Sequence, residues 1–123
     1  MTQASEIANG EEICPIVEAV KIVGKTWKLV VVRYLLEGPM SFNELLRRIN
    51  GISSKTLSAT LKQLQQEGIV KREVVSTQPF SVRYSLTTKG EGLKPVIDAL
   101  KNWGEEWIKT QHPSQEEHNP TSV

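Results

Sequence analysis

The 123-residue sequence predicts a mainly α-helical protein with one small β-hairpin, and three observations carry that prediction. Apolar residues recur at helical spacing through residues 14–67 and again after residue 87. Between those stretches, from Ile69 to Leu86, the apolar period drops to two. Within the first stretch Gly24, Gly38 and Gly51, and just past it Gly68, stand where helices stop, and Ser41 with Glu44 stands where one starts.

Each element follows from its own residues. Residues 1–12 are polar and aperiodic and read as a flexible arm. Cys14-Pro15 opens a first helix, since proline suits the first helical position; Ile16, Val17, Val20 and Val23 form its stripe and Gly24 its stop. Thr26 is the expected cap of a second helix carrying Trp27, Val30, Val31, Tyr34 and Leu35, which ends at Glu37-Gly38-Pro39. The Ser41–Glu44 capping box starts a third helix, with Phe42, Leu45, Leu46 and Ile49 inward and Asn50-Gly51 as the break. Ser53 or Ser54 caps a fourth helix whose stripe is Leu57, Leu61 and Leu64. Ile69 to Val75 reads as a strand, residues 76–80 as a turn, and Ser81 to Leu86 as a second strand with Val82, Tyr84 and Leu86 in and Ser81, Arg83 and Ser85 out. A last helix from Thr87 or Thr88 carries Leu93, Val96, Ile97, Leu100, Trp103 and Trp107, with Pro95 marking a kink or a second start. Residues 110–123 read as a polar, flexible tail, leaving 13–109 as one domain.

Four helices, a hairpin and a helix, with a short turn at Gly51 and a ribbon following directly, is the order of a winged helix-turn-helix. In that architecture the helix at about 53–67 enters the major groove of double-stranded DNA and the wing at about 69–87 lies on flanking DNA.

Charge and residue chemistry agree. The net charge is only +1, but residues 41–89 hold eight Lys and Arg against three Glu, between acidic flanks. A basic middle in a near-neutral chain points to a polyanion. With Leu57, Leu61 and Leu64 turned inward, the opposite face of the fourth helix is Lys55, Ala59, Lys62 and Gln66, with Ser58 and Gln63 on its shoulders and Thr56 beyond. No acid occurs between residues 52 and 66, whereas a merely solvated helix normally mixes Glu with Lys. Ser53, Ser54, Thr56, Ser58 and Gln63 offer hydroxyls and an amide to bases or phosphates, Ala59 offers a methyl to thymine, and Lys55 and Lys62 offer charge. On the wing, Lys71, Arg72 and Arg83 suit phosphates and Gln78 at the tip suits a groove; exposed cations also protect a strand edge from pairing. Arg47 and Arg48 end the third helix, where they suit phosphates or complement its C-terminal dipole, two roles that can hold together.

Other classes are poorly served. No apolar run approaches the roughly 18 residues of a membrane span. The first twelve residues hold three acids and no Lys or Arg, unlike a secretory signal, so a cytoplasmic protein is expected. The two histidines, His112 and His118, lie in the polar tail, and no nucleophile–base pair, phosphate-cradling glycine loop or zinc spacing occurs. Neither an enzyme nor a metal or cofactor site is expected. The remaining rival is a winged helix used as a protein-interaction module.

Cys14-Pro15, Gly24-Lys25 with Trp27, Arg33 with Gly38, Phe42 with Leu45, Ile49-x-Gly51-Ile52-Ser53, the Leu57, Leu61, Leu64 spacing, Gly68-Ile69-Val70, Tyr84-Ser85-Leu86-Thr87 and Trp103-Gly104 together resemble HxlR-type transcriptional regulators of the MarR-like group. The resemblance runs from residue 13 to about 108. It implies a sequence-specific repressor or activator, dimeric through its N- and C-terminal helices. Two departures stand out: Arg83 replaces an acid that many members carry before the wing tyrosine, and Cys14 is the only cysteine, so a bridge to a second cysteine of the chain is ruled out.

Two further expectations concern Cys14 and the helices at either end. A helix N-terminus favours a thiolate, which Glu11 and Glu12 oppose, and the resemblance implies thiol-based sensing of oxidants or electrophiles, so Cys14 is a candidate sensor; the alternative role is a small apolar side chain. Ile16 and Val20 in the first helix, and Leu100, Trp103, Gly104 and Trp107 in the last, are more apolar surface than so small a body needs. They are the expected homodimer interface, setting two recognition helices about 34 Å apart on a pseudo-palindromic operator.

Overall fold

The computed structural model describes residues 14–109; the expected arm (1–12) and tail (110–123), with His112 and His118, lie outside the described residues. The described chain falls into two compact units, one ending at Glu91 and one beginning at Gly92.

The first unit holds α1 (Pro15–Val23), α2 (Thr26–Leu35), α3 (Phe42–Arg48), α4 (Ser54–Gln66), β1 (Val70–Thr77), β2 (Phe80–Leu86) and a single helical turn, α5 (Thr88–Glu91). α2 packs on α3, α4 and β2, and α4 also meets β1. Val31, Val32, Leu45, Leu57, Leu61, Leu64 and Ile69 are fully buried among them. The leucine stripe of α4 is turned inward as its spacing predicts, and Thr60 joins it. Ser41 closes its capping box on α3: its hydroxyl accepts from Glu44 N–H at 3.1 Å, and its own N–H donates to Glu44 Oε1 at 2.8 Å. By contrast α2 starts one residue early. Lys25, not Thr26, is its N-cap, and no side chain caps it.

The hairpin is antiparallel and longer than its alternation suggested, pairing Val70 with Leu86 through to Thr77 with Phe80, with a bulge at Val75. Its turn shrinks to Gln78 and Pro79. The in–out alternation of β2 is the main departure: residues 81–85 are all half-buried, and the Ser85 hydroxyl is wholly buried. The reason is a third piece of backbone. Met40, in the loop between α2 and α3, bridges Tyr84 with N–H···O bonds of 3.0 and 2.8 Å, so β2 is paired on both edges. Thr87 then turns the chain back: its hydroxyl donates to Gly68 O at 2.5 Å and accepts from Gly90 N–H at 3.1 Å. Gly90 sits so close to the Ile69 carbonyl that any Cβ there would collide with it.

The second unit contains α6 (Lys94–Gly104) and a π-helical turn, Glu105–Lys109. Pro95 falls in the first turn of α6, so it marks a second start rather than a kink, and α5 and α6 replace the single last helix expected.

Candidate nucleic-acid interface

The segment from α3 through α4 into the wing builds the site. Gly51 turns the chain at φ +91°, a conformation open to glycine and costly for other residues. Ile49 and Ile52 are buried on either side of that turn and fix the exit from α3 and the start of α4. Ser53 is the N-cap of α4: its oxygen accepts from Thr56 N–H at 3.0 Å and its hydroxyl donates to Thr56 Oγ1 at 3.0 Å. Ser53 and Thr56 therefore spend part of their bonding capacity on starting the helix.

Of the other predicted residues on α4, Ser54, Lys55, Ser58, Ala59, Lys62 and Gln63 are all exposed, as is Gln66. No side chain among these makes an ion pair or hydrogen bond with another described residue. The face carries two cations and no acid from Ser54 to Gln66. Leucines in, small polar groups and lysines out: such a surface can offer hydroxyls, amides, one methyl and positive charge to a duplex.

The wing is more mixed. Arg72 is exposed and pairs in register with Tyr84, and Gln78 is exposed at the tip. Lys71 lies 4.0 Å from Glu73, both side chains half in solvent. Arg83 is not the free, outward cation its place in the alternation suggested. Its Nη1 donates to Pro39 O at 3.2 Å and to Glu44 Oε1 at 3.3 Å. The Met40–Tyr84 bridge brings the loop and the first turn of α3 within its reach. Val74, Val75 and Phe80, which the sequence reading assigned no role, stand exposed near the wing tip.

Arg48 is likewise engaged: its Nη2 donates to Glu37 Oε1 at 2.7 Å, and its guanidinium lies 5.4 Å from the Tyr34 ring centre, with Arg33 at 5.0 Å. Sequence reasoning missed Lys28. This lysine is 4% exposed, and its Nζ donates to Glu67 Oε2 and to Ile22 O, each at 2.7 Å. Glu67 is 39 positions away in the chain, so no local pattern signals the pair.

Cys14 is half-buried at the N-cap of α1, its carbonyl accepting from Glu18 N–H at 3.1 Å. α1 buries none of its residues: Ile16 is 73% and Val20 57% exposed. In the second unit Leu100, Trp103 and Trp107 are each more than half exposed, and Gly104 ends α6. Among the described residues there is no group of three or more metal-ligating side chains, and no helix is long and apolar enough to cross a membrane.

Comparison with known proteins gives a consistent picture. The profile of the HxlR-like helix-turn-helix family matches residues 22–112. The uncharacterised HTH-type transcriptional regulator YvaP of Bacillus subtilis is 41% identical over 101 residues, covering 81% of this chain and 94% of YvaP. The HTH-type transcriptional regulator YodB of the same organism is 36% identical over 101 residues, covering 81% and 90%. The structure of reduced YodB superposes with a TM-score of 0.70 at 35% identity, over 80% of this chain and 98% of that one. The redox regulator HypR in its oxidised form gives 0.70 at 35% identity, over 76% and 96%. YodB has also been solved diamide-treated and quinone-bound.

Proposed function

The chain belongs to the HxlR-like helix-turn-helix family of transcriptional regulators, and from that membership we propose that it is a homodimer that binds a pseudo-palindromic DNA operator in the cytoplasm. α4 lies in the major groove and the wing rests on flanking DNA. Residues 13–109 form the working unit. The observation that carries this reading is the outward face of α4, exposed, basic and free of acid while its leucines hold the core. The apolar stripes of α1 and α6, exposed in the single chain, supply the surface for a second subunit. Cys14, at the start of α1, senses oxidants or electrophiles; HypR is named a redox regulator, and YodB has been captured with a quinone.

Selection of bound sites from random duplex DNA by the purified protein tests the reading, together with sedimentation at micromolar concentration. A symmetric enriched motif and a dimer support it. No enriched sequence overturns the DNA reading, and a monomer overturns the symmetry. For Cys14, diamide or a quinone should change operator affinity in the unsubstituted protein and not in Cys14→Ser; no effect on the unsubstituted protein removes the sensor role. A second reading, a winged helix that docks on protein, is favoured by the exposed Val74, Val75 and Phe80. Salt separates the two, because phosphate binding weakens steeply with ionic strength.

A further inference from the structure

Lys28 is the only buried cation among the described residues. One of its bonds goes to Ile22 O in the last turn of α1, a carbonyl with no partner inside its own helix. The other goes to Glu67, the C-cap on which α4 ends. Glu67 Oε1 is buried with no hydrogen-bond partner among the described residues, so the Lys28 ammonium on Oε2 is the one hydrogen-bond donor to this carboxylate among them. The Glu67 carbonyl accepts from Lys89 Nζ at 2.8 Å, and Gly68 follows at φ +76°, where α4 gives way to the wing. One ammonium on α2 thus fastens the last turn of α1 to the end of α4.

Buried ion pairs are poor stabilisers, since a hydrophobic pair of similar volume often holds a fold equally well. What they provide is direction: an ammonium and a carboxylate 2.7 Å apart fix two helices in one relative placement, where packed methyl groups tolerate sliding. We propose that Lys28, through Glu67, is a positioning residue for DNA recognition. It sets the placement of α4 relative to α1 and α2, and hence how the outward face of α4 meets bases, without touching DNA itself. The proposal rests on the DNA-binding reading and deepens it.

The test uses the full chain, its selected operator and an unrelated duplex. Lys28→Met/Glu67→Met removes both charges together and leaves no bare carboxylate. The expected result is a melting temperature within a few degrees of the unsubstituted protein, unchanged affinity for the unrelated duplex, and operator affinity about tenfold weaker, the cost of roughly one mismatched base pair. A folded double variant that keeps full operator affinity overturns the proposal and leaves the pair a purely structural role. If that variant does not fold, Glu67→Gln and Glu67→Ala replace it. The glutamine keeps an acceptor for Lys28 and should retain selective binding, and the alanine should lose it; equal affinities overturn the proposal. Amide hydrogen exchange in the last turn of α4 needs no DNA and is read alongside. Faster exchange there in the double variant, or in Glu67→Ala where it stands in, supports the clamp, and unchanged exchange overturns it. A protein that binds no sequence selectively fails the DNA reading, and the exchange result still decides the clamp.

Discussion

Arg83 Nη1 on β2 lies 3.3 Å from Glu44 Oε1 on α3. The same carboxylate oxygen accepts the Ser41 N–H at 2.8 Å, so one atom closes the capping box of α3 and tethers the wing strand. Both partners keep about two-fifths of their side chains in solvent, so water screens the pair and its value is chiefly geometric. α3 and β2, which lie on either side of α4 in the chain, are therefore joined at Glu44.

Acid should loosen that joint. The Ser41 backbone N–H, more than any other group, holds the Glu44 carboxyl below its ordinary value; partial desolvation opposes this, and the charges of Arg83 and Arg47 add to it. A carboxyl depressed in the folded chain stabilises it above the ordinary carboxylate range, and the benefit is lost as pH falls through the lowered value. The urea midpoint should fall on going from about pH 5 to about pH 3, and Glu44→Gln should flatten that dependence. An identical pH profile in the variant would remove Glu44 from the account.

Salt should distinguish the two kinds of cation. Lys62 is exposed and unpaired among the described residues, whereas Arg83 already faces Glu44. Lys62→Ala should lower the log–log salt slope of operator binding by about 0.9, the value for one phosphate, and Arg83→Ala should lower it by less. Equal reductions would show that DNA draws Arg83 away from Glu44.

The two faces of α4 should respond to opposite measurements. Ala59→Glu, on the exposed face, should change stability by no more than about 0.5 kcal/mol and weaken operator binding by more than about tenfold. Leu61→Ala, on the buried face, should cost about 2–5 kcal/mol in urea unfolding. Full operator affinity in Ala59→Glu would place the DNA surface elsewhere.

Trp103 and Leu100 should matter to assembly rather than to the subunit, because both are more than half exposed within one chain. Leu100→Asp with Trp103→Ala should shift sedimentation from dimer to monomer and leave the helical signal in circular dichroism intact. A dimer of unchanged strength would move the interface off α6.

The parts of this molecule that could be read from sequence are those set by near neighbours in the chain. The Leu57, Leu61, Leu64 stripe and the Ser41–Glu44 box involve residues three or four apart, and both stand as their spacing implies. The surface opposite the stripe follows from the same geometry. What escaped was fixed by distant partners. Alternation predicts Arg83 and Ser85 outward, but the Met40 bridge covers the other edge of β2 and both are half-buried. Lys28 is buried against a carboxylate that arrives from the end of α4, 39 positions along the chain. The exposed Trp103 of α6 and Trp107 of the turn after it have a readable rhythm, but rhythm alone does not say what covers them.

The exposed side chains of α4 from Ser54 to Gln66, with the half-buried Thr56 and Gln65 set apart, make no bond that holds the subunit together. Heredity can therefore rewrite them at little cost to folding. If α4 reads DNA as proposed, a duplicated gene could acquire a new target by exchanging residues such as Ser58, Ala59 and Gln63, while the leucines beneath, and Gly90 with no room for a side chain, stay as they are. Descendants of one such ancestor would keep a common scaffold and diverge most along that outward face.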